Sequence, residues 1–76
     1  MEFNLYDIVK IINGVSIKKN DQSLFFPPGT EGVIVERFTG EYLVEFIDVS
    51  GDTHYTLLNG AEILKRWDAN SKKYID

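Results

Sequence analysis

Short runs of β-branched and aromatic residues, each closed by Pro, Gly, Asn or Asp, recur along this chain and predict strands. The clearest is Gly32-Val33-Ile34-Val35-Glu36-Arg37-Phe38. Thr39-Gly40 follows it as a two-residue connection, the length that favours a tight hairpin. Glu41-Tyr42-Leu43-Val44-Glu45-Phe46-Ile47 then returns. In this strand Tyr42, Val44 and Phe46 fall on one side, with Glu41 and Glu45 on the other. That is the mark of a half-buried antiparallel strand.

Two weaker runs precede and follow this hairpin. Leu5 to Ile12 is too short and too poor in helix formers for a helix. Lys10 between Val9 and Ile11 places those two inward and the lysine outward. Thr53 to Leu58 reads as a further strand, after a turn at Asp48-Val49-Ser50-Gly51-Asp52. Asn59-Gly60 breaks it, and Ala61-Glu62-Ile63-Leu64 predicts one short helical turn before a last short strand. Between Asn13 and Thr30 the alternation lapses: Asn13-Gly14 is a turn pair, and the Lys18 to Ser23 run is polar. Pro28-Gly29 suits the central positions of a type II turn. A loop this long in so small a domain is either functional or packed by its own side chains. The expectation is an all-β fold, a small five-stranded antiparallel barrel with a long first loop. It would span residues 1–67, followed by a polar, frayed tail at 68–76.

Composition narrows the means of stabilisation. A 76-residue chain is one domain, and it buries only about 60 % of its unfolded surface. With no cysteine, neither disulfides nor a thiolate metal clip can assist. The single histidine, His54, makes no multi-histidine metal site alone. Twelve acidic against eight basic residues give a net charge of −4, which opposes long-range attraction to nucleic acid or an anionic membrane. Met1-Glu2-Phe3-Asn4 lacks the positive region and apolar run of a signal peptide. No apolar stretch approaches the ~20 residues of a membrane span. A cytoplasmic location is therefore expected.

Several of these segments together resemble a known group. They are Asp7-Ile8-Val9-Lys10-Ile11-Ile12, Pro28-Gly29-Thr30-Glu31-Gly32-Val33-Ile34-Val35, Tyr42-Leu43-Val44-Glu45-Phe46 and the Asp48–Asp52 turn. They are similar to the short, uncharacterised bacterial proteins built of one SH3-like barrel. The same grammar is similar to small barrels that serve as subunits of bacterial enzymes and photosynthetic complexes, and to KOW-type barrels of ribosomal and transcription proteins. The resemblance covers about Leu5 to Leu64 and implies an SH3-like barrel. Its motifs are turn glycines and core aliphatics, so it implies no chemistry. Leu5-Tyr6-Asp7 echoes the start of eukaryotic SH3 domains, but the paired tryptophans of their polyproline groove do not follow.

The residues point away from catalysis and cofactors. Ser16, Ser23, Ser50 and Ser71 sit in polar or turn contexts, and His54 reads as a partly exposed strand residue. Asp48 and Asp52 around Gly51 faintly echo a calcium loop but lack its further oxygen ligands, and turn chemistry accounts for them. Two segments point to partner binding instead. Phe25, Phe26, Pro27 and Pro28 would form a compact apolar contact beside a rigid turn, with one Phe outward and Phe26 the one expected to cap the barrel. Lys65-Arg66-Trp67 and Lys72-Lys73-Tyr74 interleave bases with aromatics; the segment reads first as an ordinary solvated terminus whose tryptophan covers the barrel bottom, second as a protein contact and third as a nucleic-acid contact. The expected function is a non-catalytic protein-binding module, of the kind that acts as an immunity or antitoxin partner. A KOW-like nucleic-acid binder or a small enzyme subunit is the alternative, and homo-oligomerisation is compatible with each.

Overall fold

The computed structural model describes residues 3–60 and 64–75 of the chain. The described residues form eight strands in two antiparallel sheets. The five expected strands are β1 (Ile8–Ile11), β4 (Glu31–Arg37), β5 (Glu41–Ile47), β6 (Thr53–Asn59) and β7 (Leu64–Asp68). Three others are β2 (Val15–Lys19), β3 (Gln22–Phe26) and β8 (Lys73–Ile75). The main sheet runs in the order β6-β5-β4-β1-β7-β8, while β2 and β3 pair only with each other. Its outer strands β6 and β8 do not pair together, so the expected five-stranded closed barrel gives way to an open six-stranded sheet and a separate hairpin. The expected helical turn falls on Ala61, Glu62 and Ile63, outside the described residues, and Leu64 begins β7. No described helix is long and apolar enough to cross a membrane.

Alternation builds the inner face of the main sheet. Val9 and Ile11 of β1, Ile34 of β4, Tyr42, Val44 and Phe46 of β5 and Leu58 of β6 are all buried there. Each large side chain so removed from water contributes about 1.5–3 kcal/mol. Phe3 joins them from outside the expected strands: its ring meets Tyr42 edge-to-face at 5.4 Å, and its backbone N–H donates to the Tyr42 hydroxyl. On β4, beside β5, the Val44 and Phe46 side chains fill the space over position 32 and leave no room for a Cβ. One built on Gly32 would stand 2.6 Å from Val44 Cγ1 and 2.9 Å from Phe46 Cε1.

The stretch from Asn13 to Thr30, expected as a loop, is the lid of this core. Its register pairs Val15 with Phe26 and Ile17 with Leu24, so these four share one face and pack onto the buried cluster. Phe26 stacks on Phe46 at 4.9 Å. The adjacent Phe25 and Phe26 break the alternation and the Lys18–Ser23 tip is polar, which conceals the hairpin in the sequence. Asn20 turns it at a φ of 56°, a conformation asparagine tolerates. The expected turn after it is present: Thr30 N–H donates to Pro27 O at 3.1 Å, and Gly29 has the positive φ of 88° that a type II turn needs.

The tail expected to fray is a second arm. β8 pairs with β7 after a turn held by Asp68, whose Oδ2 accepts from the Ser71 hydroxyl at 2.7 Å and from its N–H. The Ser71 hydroxyl holds the Asp68 carboxyl below its ordinary range.

Candidate functional site

Directly opposed residues of an antiparallel ladder share a face, so the register maps the outer side of the main sheet. One row crosses four strands: Ile8 faces Val33, Val33 faces Glu45, and Glu45 faces Tyr55. Leu43 faces Leu57 on one side of this row, and Ile47 faces Thr53 on the other. An antiparallel sheet with one face in water normally carries polar side chains there. Here Ile47, Tyr55 and Leu57 are 62 %, 51 % and 51 % exposed, and Ile8 and Trp67 are exposed beside them. At roughly 200 Å² per large side chain, these five leave on the order of 500 Å² of apolar surface open. That is about a tenth of the molecule's 5229 Å², the share a small protein commits to an interface. A shallow cleft of about 300 Å³ opens in this face between Ile8, Val33, Glu45 and Ile47.

The β7–β8 arm extends the same face. Val9 pairs with Arg66 and Lys10 with Lys65, so Lys65 and Trp67 turn outward while Arg66 turns inward. Trp67 meets Tyr74 edge-to-face at 5.2 Å. The Lys10 ammonium lies over the Tyr74 ring, 4.4 Å from its centroid, a cation–π contact. The Tyr74 hydroxyl donates to Glu31 Oε2. Burial, reinforced by the Glu31 carboxylate that accepts this proton, pushes the Tyr74 hydroxyl up to about 12.

The residues expected to bind a partner are distributed unequally. Phe25 is 63 % exposed and Phe26 only 7 %, the expected division of one outward and one inward. Phe26 is thereby removed from any contact surface, because its β3 register aims it at Phe46. Pro27 and Pro28 are exposed at the turn. Trp67 lies on the sheet's outer face, but the pleat sends its neighbour Arg66 to the other side, so the two do not form one patch. Phe25 lies against Gly14 on the hairpin and makes no ring contact with Trp67 among the described residues. Sequence reasoning missed Ile8, Ile47, Tyr55 and Leu57 as one surface. The available signal was Leu43 and Ile47 standing on the same side of β5 as its glutamates.

His54 is a correction. It was expected to be partly exposed, but it is 6 % exposed because it stands opposite Phe46 on the inner face. Its Nε2 bonds to Asp48 Oδ2 at 2.8 Å, and its ring tilts against Phe26. Asp48 Oδ1 accepts from the N–H groups of Ser50 and Asp52. Both carboxylate oxygens are thus engaged in closing the turn, and the His54 bond holds the Asp48 carboxyl below its ordinary range. The other ring nitrogen, Nδ1, is buried without a partner among the described residues. The pair therefore ties the Asp48–Asp52 turn to the core. A larger depression of about 560 Å³ beside the β4–β5 turn is lined by Arg37, Phe38, Thr39, Gly40 and Tyr42 and gathers no carboxylate or histidine.

Comparison with protein-family models, curated proteins and solved structures finds no match for this chain.

Proposed function

We propose that this chain is a non-catalytic protein-binding module of SH3-like architecture, working in the cytoplasm. The SH3-like reading is supported by strand order: β1 lies between β4 and β7, with β5 and β6 following β4 outward. The binding reading rests on one observation, the apolar outer face centred on β5 and β6. Tyr55 and Leu57 project there, and exposed aromatics of this kind are the usual anchors of interfaces. The net charge of −4 favours a basic partner and fits an immunity or antitoxin role, in which an acidic protein masks a basic surface. A nucleic-acid role has less support: Arg66 and Trp67 point to opposite faces, and Lys10 is engaged on Tyr74.

Capture from host extract with tagged wild type and with the double variant Tyr55→Lys/Leu57→Lys tests the reading. The wild type should retain one stoichiometric protein through nuclease treatment. The variant should lose it while keeping the wild-type thermal midpoint. Retention of nucleic acid instead, or equal retention by the variant, overturns the proposal.

A further inference from the structure

At the middle of the outer face stands a charge. Glu45 is flanked by Val33 and Tyr55 across the strands and by Leu43 and Ile47 along its own. It is half-buried, and no described residue pairs with it. Glu31, on the same face, is different because it accepts from the Tyr74 hydroxyl. Facing water, a lone carboxylate is satisfied by solvent. Once an apolar surface covers its neighbours, that solvent is expelled, and a buried carboxylate left unpaired is strongly unfavourable. A purely apolar occupant is therefore penalised where its contact is closest.

Resting on the outer face as the binding surface, we infer that its partner is a different protein with an apolar surface and a central arginine or lysine that pairs with Glu45. Arginine fits best, since its planar fork meets a carboxylate with two parallel hydrogen bonds. A second copy of this chain is a poor occupant. Face to face it would bring another Glu45, and the cations on its face are already engaged. Lys10 lies on the Tyr74 ring, and Lys65 holds an interaction of its own. Pairing at Glu45 would also supply selectivity, because acidic or neutral apolar surfaces leave the carboxylate unpaired or repelled.

A displayed library of random 16-residue peptides, selected in parallel against wild type, Glu45→Gln and Glu45→Lys, tests this. The wild type should enrich peptides with Arg or Lys among large apolar residues. Glu45→Gln should weaken binding of those peptides at least tenfold, and Glu45→Lys should switch the enrichment to Asp or Glu. Tyr55→Lys should abolish binding of all of them. Apolar peptides enriched without regard to the charge at position 45 overturn the inference and leave the binding face standing. Binders indifferent to Tyr55→Lys, or no binder at all, overturn the face as well. Sedimentation showing a dimer that Tyr55→Lys dissociates would assign the surface to a second copy, against the inference.

Discussion

Both faces of the main sheet carry large apolar side chains, and these have opposite fates. On the inner face Val44 and Phe46 are fully buried, while on the outer face Ile47, next in the chain, and Tyr55 on β6 stand in water. The difference lies in what covers each face. The β2–β3 hairpin lays Val15, Ile17, Leu24 and Phe26 over the inner side, whereas no described element crosses the outer side. Hydrophobic character marks a strand residue as able to be buried, and a cover decides whether it is. An apolar face without a cover is where a partner gains most.

The comparison breaks most sharply at Phe46. Its truncation in Phe46→Ala removes the ring stacked on Phe26 and should destabilise the fold by about 3–5 kcal/mol. A 76-residue domain has on the order of 4–11 kcal/mol in all. Urea titration should therefore find this variant at the margin of folding, and a wild-type midpoint would show that the inner face is not the core. Gly32→Ala should follow, destabilising by about 1–3 kcal/mol, because the new Cβ pushes into Val44 and Phe46. The same titration reads it, and an unchanged midpoint would mean that the Val44 and Phe46 side chains yield to the added methyl.

A third test separates the β8 arm from the core by pH. The Tyr74 hydroxyl is raised from 10.0 to about 12. A raised value means that the folded state holds the proton more tightly. The associated stability is complete below pH 10 and disappears as pH rises towards 12. Amide exchange and Trp67 fluorescence should report release of β8 in that interval, in the wild type but not in Tyr74→Phe. Identical behaviour of the two would sink the Tyr74–Glu31 contact. The smallest effect should come from the outer face: Leu57→Thr should change stability by no more than about 0.5 kcal/mol. A loss of several kcal/mol would mean that the face is covered within the chain itself.

Much of this molecule could be read from neighbouring residues. The alternation in Glu41–Ile47 assigned Tyr42, Val44 and Phe46 to the core, and all three are buried. Pro28-Gly29 announced its turn, and the five runs of strand formers became β1, β4, β5, β6 and β7. These features depend on interactions within a few residues, where side-chain parity and turn chemistry are decisive. The β6 face assignment was not available in that way. Thr53-His54-Tyr55-Thr56-Leu57-Leu58 has apolar groups of both parities, and only pairing with β5 turned His54 and Leu58 inward and Tyr55 and Leu57 outward.

What tertiary structure alone decided has the same character throughout. The Asn13–Thr30 segment became a hairpin because Phe46 and its neighbours offered an apolar bed for Ile17, Leu24 and Phe26. The C-terminal arm became β8 because Tyr74 reaches Glu31, 43 residues earlier in the chain. Phe3 entered the core through Tyr42, 39 residues away. Strand parity and turn type are local properties, and the sequence by itself determined them. Which face is covered, and which is left open around Glu45, depends on side chains that meet only after the chain has folded.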